Sequence, residues 1–355
     1  MQKRRLGRSD IYVPPVVFGA WAIHNFGYGS TEINKAIESL RKAYELGFNT
    51  VDTAPIYSLG LSEEVVAEAY KDFPRDSYQL FTKCGNSWKP KKSISKPIKE
   101  MSSDELFDNY ELYSDNTKEK IIVQCENSLK RLNTDYLDLY SLHWPDSITP
   151  IDEIMEAFEI LIAQGKIKAA GICNHSMSEF KTANNILNVT AHKIRYSMLN
   201  RGIETDMAPY CIDNQVGLLV YSVLQRGLLD NYFDRHFIWS PKEENPKELA
   251  LYKLKNIELI KLFLKSLNEI ADDYGLTASQ LCVNWTVNQP AVTAALIGAT
   301  SIEDVTATVN AVNTSVDENG FEQIKKKLEE LELKLDLSEQ EYTYDYEEGI
   351  VHFKD

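Results

Sequence analysis

The chain has 355 residues, of which 43% are hydrophobic and 26% are charged, and its formal net charge is -15. This balance is typical of a folded globular protein and excludes collagen-like, coiled-coil and disordered chains. Such an acidic protein has no electrostatic footprint for nucleic acid or for an anionic membrane. Any polyanionic ligand must therefore be held by a local device.

The cysteines are scattered, with no C-x-x-C pair and no histidines at metal-ligand spacing: Cys84, Cys125, Cys173, Cys211 and Cys282. An odd, dispersed set predicts reduced thiols and no metal site. The first fifteen residues lack the apolar core of a signal peptide, and no run of 18 apolar residues predicts a membrane span. We therefore expect a cytoplasmic protein that binds neither membrane nor nucleic acid.

Short apolar runs alternate with amphipathic helical stretches along the chain. Residues 3–13, with Gly7 at the turn, predict a hairpin, and an apolar run at 16–20 predicts the next strand. A helix is expected to begin at Ser30, a suitable N-cap, and to end at Gly47. Its apolar face consists of Ile33, Ala36, Ile37, Leu40 and Ala43.

The alternation continues to residue 312. Further strands are expected at 49–52, 78–83, 137–143, 169–173, 193–197, 217–221 and 292–297, and each is followed by a helix. Eight strand–helix units without a Rossmann glycine fingerprint predict a (β/α)8 TIM barrel and disfavour a doubly wound sheet. We expect one domain over 1–355, with the barrel at about 14–312 and a helix and acidic tail at 313–355. Long loops are expected at 85–116 and 231–256.

Polar residues end three neighbouring predicted strands, and in such barrels the active site lies at the carboxyl ends of the strands. Asp52, Lys83 and His143 are these strand-end residues, and Tyr57 follows Asp52 in the next loop. A nearby ammonium stabilises a phenolate and so lowers a tyrosine pKa from its usual value of about 10. Each residue alone fits a structural role as a cap, an ion pair or a core histidine. The four together predict proton transfer to a carbonyl that receives a hydride.

The chain resembles the aldo-keto reductase superfamily from about residue 3 to residue 312, nearest to bacterial members with the DTAPxYGxGxSEE motif. The matching segments include RRLGRSD, DTAPIYSLGLSEE, TKCG, SLKRLNTDYLDLYSLHWPD, GKIKAAGICNHS, YSVLQRGLL and VNWTVNQPAVTAALIGATSIEDV. The resemblance implies that Tyr57 is the general acid and that Lys83 lowers its pKa. It also implies that Asp52 pairs with Lys83 and that His143 places the carbonyl.

The resemblance also implies a nicotinamide cofactor across the barrel mouth. Cys173 replaces a family serine beside the carboxamide, Asn174 keeps its role there, and Lys193 stands where the family has a carboxamide-binding glutamine. Tyr221 corresponds to the residue that stacks on the nicotinamide ring. The remaining implied cofactor residues are Trp21, Ser222, Leu224 and Arg226, the last three around the pyrophosphate, and Gly298, Thr300, Ser301, Thr306 and Asn310 towards the adenosine.

Two departures from the family pattern affect the choice of cofactor. Thr300 and Thr306 replace a basic pair, which removes charge-assisted bonds to a 2′-phosphate. We expect NADPH, with NADH as the alternative. Lys193 either faces the nicotinamide, where it disfavours the cationic oxidised ring, or pairs with an acid or turns to solvent.

Trp21, Trp88 and Trp144 are the expected substrate residues, and they suit a small carbonyl or a sugar face. The lysines of the loop 85–116 indicate either a solvated loop or a phosphate- or carboxylate-bearing substrate. The resemblance implies reduction of an aldehyde, a ketone or a sugar-like carbonyl. A redox-neutral lyase or epimerase with tightly bound nicotinamide, and a non-catalytic binding subunit, remain alternatives. The protein is expected to be a monomer or a homo-oligomer.

Overall fold

The computed structural model describes residues 1–23, 32–92, 96–101, 103–230, 246–345 and 350–353. The expected N-cap Ser30 and the segment 231–245 of the second long loop lie outside these residues. The chain falls into two compact units. The first contains Met1–Arg195, Ile203–Tyr221 and Pro290–Thr306, and the second contains Tyr196–Gly202, Ser222–Gln289 and Ala307–Asp355.

Fourteen strands occur among the described residues. They are β1 (Arg4–Arg5), β2 (Tyr12–Val13), β3 (Val16–Gly19), β4 (Thr50–Asp52), β5 (Gln79–Cys84), β6 (Asn86–Pro90), β7 (Tyr110–Ser114), β8 (Leu139–Leu142), β9 (Ala170–Cys173), β10 (Ala191–Arg195), β11 (Gly217–Tyr221), β12 (Val292–Ile297), β13 (Tyr342–Asp345) and β14 (Ile350–Phe353).

Eight of these strands form a closed parallel barrel in the order β10-β11-β12-β3-β4-β5-β8-β9. The barrel confirms the predicted (β/α)8 TIM fold. The register pairs Gly19 with Asp52 and Lys83 with Ser141, so polar strand-end residues meet at one end. The expected strand 193–197 is wrong by two residues, since β10 is Ala191–Arg195. β10 includes the buried His192, a polar residue type that the apolar pattern left outside the strand.

The predicted N-terminal hairpin is present, with β1 antiparallel to β2. Gly7 turns it with a φ of 56°, and a Cβ there would collide with the Thr190 carbonyl oxygen, so only glycine fits. The hairpin side chains Leu6, Ile11 and Val13 share one core cluster with barrel residues such as Phe81. The hairpin therefore closes one end of the barrel core.

The helices follow the expected alternation closely. They are α1 (Ile33–Glu45), α2 (Leu61–Tyr70), α3 (Ser103–Asn109), α4 (Lys118–Arg131), α5 (Ile151–Ala163), α6 (Met177–Ile186), α7 (Met207–Asp213), α8 (Pro246–Ala250), α9 (Leu254–Asp272), α10 (Ala278–Val287), α11 (Ile302–Asn313) and α12 (Glu318–Glu332). No helix among the described residues is long and apolar enough to cross a membrane.

One segment expected to be a loop, and the acidic tail, for which no secondary structure was predicted, contain strands. In the loop 85–116, β6 pairs with β7 and α3 lies between them. Lys89 pairs with Glu111 across this ribbon at 3.2 Å, and both side chains are exposed. The acidic tail forms a second hairpin, in which β13 pairs with β14. The first of these ribbons escaped prediction because its sequence lacks an apolar alternation.

Candidate active site

Asp52, Lys83 and Tyr57 meet at the carboxyl ends of β4 and β5. The Lys83 ammonium donates to Asp52 Oδ2 at 2.6 Å, to the Thr53 carbonyl oxygen at 2.7 Å and to the Tyr57 hydroxyl at 3.0 Å. An ammonium has three N–H donors, so all three are used and its position is fixed. The structure thus brings together three of the four residues predicted for acid–base chemistry.

The loop that presents Tyr57 has an unusual backbone. Ser58, Leu59 and Gly60 follow it with φ values of 50°, 54° and 96°. A non-glycine residue in the left-handed region costs about 1–3 kcal/mol, so this conformation needs support from its surroundings. Ser62 gives part of that support, since its hydroxyl contacts the Thr53 hydroxyl at 2.9 Å and the Ala20 carbonyl oxygen at 3.2 Å.

Glu63 gives the rest of the support from the start of α2. This fully buried carboxylate accepts from Thr82 Oγ1 at 2.7 Å and from Arg131 Nε at 2.6 Å. A Cβ at Gly60 would lie 2.8 Å from Arg131 Cδ, so a larger residue there would displace the arginine. Sequence reasoning missed the role of Glu63, although the residue lies in the DTAPIYSLGLSEE segment. An acid beside apolar residues at the start of a helix is the signal that could have identified it.

His143 lies beside Tyr57, with the two ring centroids 5.9 Å apart and nearly perpendicular. Asn86 Nδ2 donates to His143 Nδ1 at 3.2 Å. Because an amide nitrogen only donates, Nδ1 is the acceptor and the imidazole proton resides on Nε2. The His143 backbone is held by the Cys84 carbonyl oxygen and by Asn174 Nδ2, each at 3.0 Å. Sequence reasoning missed Asn86, although its place one residue after Gly85 at the end of β5 was a usable signal.

The charge states of this set follow from burial. Burial, together with the Asp52 carboxylate, raises the pKa of Tyr57 well above its usual value, so the phenol is protonated at neutral pH. The sequence led us to expect a Tyr57 pKa below its usual value, whereas burial and the charge of Asp52 raise it. Burial and the charges of Lys83 and Lys193 lower the pKa of His143 well below its usual value, so its imidazole is neutral.

Lys193 joins the set from β10. It is buried and forms an ion pair with Asp52 Oδ1, and its ammonium lies 5.6 Å from the Phe81 ring centroid. Of the alternatives for this lysine, pairing with an acid is the one observed. Burial would raise the pKa of Asp52, but Lys193 and Lys83 more than offset it and lower that pKa. Asp52 is therefore a carboxylate at neutral pH.

Asn174 and Tyr221 lie together in the first unit. The Asn174 amide donates to the His143 carbonyl oxygen, and its oxygen accepts from the Tyr221 hydroxyl. Arg195 Nε also donates to that hydroxyl, at 3.2 Å. Cys173 is buried, and burial raises the pKa of its thiol to about 11, so it is no thiolate at neutral pH. A partly exposed aromatic ring beside a fixed amide fits a nicotinamide ring and its carboxamide.

In the second unit, the predicted pyrophosphate residues lie in a turn of left-handed conformations. The φ values are 57° at Ser222, 47° at Gln225, 51° at Arg226 and 90° at Gly227, and Leu224 lies within this turn. The Gln225 side chain accepts from Ser197 Oγ at 2.8 Å, which fixes the turn. Successive N–H groups in such turns form concave anion sites, so this turn fits a phosphate. Asn310 lies on α11, also in the second unit.

The residues predicted at the adenosine end surround a carboxylate. Asp304 Oδ2 accepts from Thr300 N at 2.9 Å, from Thr300 Oγ1 at 3.0 Å and from Ser301 N at 3.1 Å. Thr306 Oγ1 donates to the Ile302 carbonyl oxygen at 2.8 Å. Gly298 follows β12 directly. The backbone N–H groups of Thr300 and Ser301, just before α11, are therefore already bound by an acidic side chain of the chain itself.

Two of the three predicted substrate tryptophans contact the acid–base residues. The Trp21 ring lies edge-on to Tyr57 at 4.8 Å, and the exposed Trp144 ring stacks near His143 at 6.1 Å. Trp88 instead lies 5.7 Å from the Arg131 guanidinium. Among the loop lysines, Lys89 and Lys96 pair with glutamates. These exposed pairs favour a solvated loop over a substrate-binding role for the two lysines.

Comparison with known proteins gives one consistent result. The model of the Aldo/keto reductase family matches residues 15–329. Aldo-keto reductase YhdN of Bacillus subtilis is 31% identical over 304 residues, which cover 84% of this chain and 85% of that protein. An NADH-specific methylglyoxal reductase of Escherichia coli is 29% identical over 337 residues, or 94% and 100% of the two chains. The solved structure of glycerol dehydrogenase AKR11B4 from Gluconobacter oxydans has a TM-score of 0.78 and 25% identity, with 97% and 98% coverage.

Proposed function

Because the chain belongs to the aldo/keto reductase family of oxidoreductases, we propose that it reduces small aldehydes and ketones with NAD(P)H and that Tyr57 is the general acid. One observation carries the assignment of Tyr57. Its hydroxyl is 3.0 Å from an ammonium whose other two donors are engaged, so the phenol is held beside a fixed cation that stabilises its anion. A tyrosine with a purely structural role would not need this arrangement.

When bound, a nicotinamide dinucleotide would supply hydride chemistry at the carbonyl carbon. Tyr57, protonated at neutral pH, gives its proton to the carbonyl oxygen, and the phenolate that forms lies against the Lys83 ammonium. His143 is neutral and carries its proton on Nε2, so it can donate to the same oxygen and orient it. The adjacent Trp21 ring covers the edge of Tyr57 and limits access of water.

Asn174 and Tyr221 would hold the nicotinamide, and the turn at 222–227 would hold phosphate. At the adenosine end, the Asp304 carboxylate already accepts from the backbone N–H groups of Thr300 and Ser301, and its charge would repel a 2′-phosphate bound there. We therefore propose that NADH binds at least as tightly as NADPH. The relative from Escherichia coli is described as NADH-specific, which supports this preference.

The substrate we propose is a small, unhindered carbonyl compound such as methylglyoxal. The aromatic rings of Trp21 and Trp144 flank Tyr57 and His143, and they offer flat apolar surfaces with few charges. The same Escherichia coli relative is named as a methylglyoxal reductase. In the loop 85–116, Lys89 and Lys96 pair with glutamates, which argues against a phosphorylated substrate bound by these two lysines.

The test is a binding titration followed by an activity assay. Purified protein, shown to be free of bound nucleotide, is titrated with NADH and with NADPH while tryptophan fluorescence is followed. Methylglyoxal is then added and dinucleotide oxidation is measured by absorbance. Saturable binding of both, with NADH at least as tight, and carbonyl-dependent oxidation are expected. Absence of binding, or binding without oxidation across aldehydes, ketones and sugars, would contradict the proposed function.

A further inference from the structure

One buried carboxylate at the carboxyl end of the barrel carries two buried ammonium groups. Asp52 Oδ2 pairs with Lys83 and Asp52 Oδ1 pairs with Lys193. The three side chains are 3%, 4% and 1% exposed, respectively. We call the set of Asp52, Lys83 and Lys193 the lysine–aspartate cluster. With both lysines protonated its net charge is +1, with almost no access to water; burial lowers the pKa of Lys193, and the Asp52 carboxylate acts in the opposite direction.

The position of Lys193 makes this arrangement unusual. In the circular strand order, β10 stands four places from β4, so the two strands face each other across the barrel. The Lys193 side chain spans the interior to reach Asp52, at a layer that apolar side chains fill in most barrels. Burying an ion is costly, and an apolar side chain of similar volume often stabilises a core better than a buried ion pair. Stability alone does not account for this lysine.

Among the residues that the structure describes, no second carboxylate balances the lysine–aspartate cluster. The other titratable groups of this part of the chain that face it are Tyr57 after β4, His143 after β8 and Cys173 on β9. All three are neutral at neutral pH, because burial raises the pKa of Tyr57 and of Cys173, and burial with the two lysines lowers that of His143. The positive charge of the cluster is therefore uncompensated until Tyr57 ionises.

We propose that Lys193 is a positioning residue for proton transfer: by sharing Asp52 with Lys83, it leaves the Lys83 ammonium only partly neutralised beside Tyr57. With both lysines, the cluster and the phenolate together are neutral. With an uncharged residue at 193, Asp52 would neutralise Lys83 completely, and the phenolate would be an uncompensated buried anion. This inference rests on the proposed role of Tyr57 as the general acid.

Two substitutions separate the charge of Lys193 from its hydrogen bond. Lys193→Gln keeps a donor for Asp52 without the charge, and Lys193→Met removes both while keeping the unbranched shape. Loss of the charge raises the pKa of Tyr57 and makes it a weaker acid. We expect kcat for reduction to fall about tenfold in both variants, which corresponds to about one pKa unit at the phenol. The KM for the carbonyl substrate should stay unchanged, since no substrate contact is removed.

The dependence of kcat on pH gives a readout that a merely structural lysine would not move. Oxidation of the alcohol product needs ionised Tyr57, so its rate rises with pH over the range below the raised pKa of this phenol. In both variants this rising limb should move to higher pH by about one unit, so the oxidation rate at each pH should be about tenfold lower. Lys168→Met is the matched control, because Lys168 also pairs with a buried aspartate, Asp138, outside the acid–base set. Its pH profile should match that of the wild-type protein.

Binding of the two redox forms of the dinucleotide gives a second readout. The oxidised ring is cationic, so losing one positive charge from the cluster should strengthen oxidised relative to reduced binding, by about tenfold. Circular dichroism and thermal unfolding establish that each variant is folded. If Lys193→Met does not fold, Lys193→Gln alone is used for the test. An unshifted pH limb together with an unchanged affinity ratio, or full activity in Lys193→Gln alone, would overturn the inference.

The two proposals fail in different ways. If the wild-type protein binds dinucleotide and reduces no carbonyl, the proposed function fails, and the inference about proton transfer falls with it. If the wild-type protein is an active reductase and both variants keep its pH profile and affinity ratio, only the role of Lys193 is wrong. Activity of the wild-type protein is therefore measured first.

Discussion

Two buried aspartates at opposite ends of the barrel strands each bind two cations, and they differ in what surrounds those cations. Asp52 ends β4 and binds Lys83 and Lys193. Asp138 precedes β8 and is bound by one arginine and one lysine, both at 2.8 Å. It also accepts from the Leu80 backbone N–H at 2.9 Å.

The exposure of the cations explains how one charge pattern serves two purposes. The partners of Asp138, Arg75 and Lys168, are 20% and 50% exposed, so water solvates the charge that the aspartate does not neutralise. The Arg75 guanidinium also binds the Tyr136 carbonyl oxygen at 2.8 Å, which ties neighbouring segments together. The partners of Asp52 have almost no contact with water. The positive charge left over at Asp138 is therefore solvated, and this ion-pair group has a structural role. The positive charge left over at Asp52 is buried and acts on the Tyr57 phenol.

Replacing each aspartate by asparagine should give the largest difference between the two sites, in stability and in kcat. Asp52→Asn leaves two buried lysines without an anion, so we expect a loss of about 3–5 kcal/mol in the free energy of unfolding. It also frees Lys83, and misplacement at the reacting atoms should lower kcat about 100-fold. Asp138→Asn keeps an acceptor and leaves cations that water can solvate. We therefore expect a loss of about 1–3 kcal/mol in the free energy of unfolding, with kcat unchanged. Denaturant unfolding and steady-state kinetics check both. Equal loss of activity in the two variants would contradict the comparison.

The stability that Asp52 provides should depend on pH. The pKa of Asp52 is lowered in the folded protein, so its contribution is complete above the unfolded pKa of about 3.9. It is lost as pH falls through the lower folded value. The stability difference between wild-type protein and Asp52→Asn should therefore narrow below about pH 4. Urea unfolding of both proteins between pH 3 and pH 7 measures it, and a difference that widens on acidification would be inconsistent with the ion pairs.

The support of the Tyr57 loop gives a smaller but separable effect. Glu63→Gln replaces one carboxylate oxygen with an amide NH2 group, which cannot accept a hydrogen bond. One of the two donors, Thr82 or Arg131, therefore loses its acceptor. We expect a loss of about 1–3 kcal/mol in stability and a decrease in kcat without a change in dinucleotide affinity. Glu64→Gln is the control, because this neighbouring side chain is exposed. Similar effects from both substitutions would mean that the buried contacts do not support the loop.

The hydrogen bond from Asn86 should set the tautomer of His143. In Asn86→Asp, a carboxylate accepts from Nδ1–H, which moves the neutral proton away from Nε2 and also favours the imidazolium. We expect kcat to fall about tenfold, with a smaller decrease in Asn86→Ala. Asn109→Ala, in the same loop, is the control, since its side chain binds only the Glu105 carbonyl oxygen among the described contacts. Histidine ¹⁵N chemical shifts identify the tautomer directly, and an unchanged tautomer in Asn86→Asp would exclude this role.

The effect on cofactor choice should be the smallest. Removing the Asp304 charge in Asp304→Asn should strengthen NADPH binding relative to NADH by about threefold, as expected for one exposed like charge. Glu303→Gln, a neighbouring exposed acid, is the control. Fluorescence titration with the two dinucleotides measures the ratio. Equal shifts in both variants would assign the effect to overall charge and not to the Asp304 position.

Much of this arrangement could be predicted from the sequence because strand ends in a parallel barrel converge. Asp52, Lys83 and His143 each follow an apolar run, so their meeting required only the fold. The pairing of Lys193 with Asp52 could not be predicted, since the residues are 141 positions apart on strands that face each other across the barrel. The expected direction of the Tyr57 pKa shift differed from the one observed for a related reason. Burial depends on the whole tertiary structure, whereas neighbouring charges can be inferred from motifs.

The most direct test is single-turnover reduction of methylglyoxal by wild-type protein and by Tyr57→Phe at saturating NADH. Phenylalanine keeps the ring packed against Trp21 and removes only the hydroxyl that Lys83 contacts. Dinucleotide affinity should be equal in the two proteins, while the rate of NADH oxidation should fall by about 10²–10⁴. Tyr136→Phe, which removes a phenol near Asp138, should keep the wild-type rate. Equal rates in wild-type protein and Tyr57→Phe would contradict the assignment of Tyr57 as the general acid.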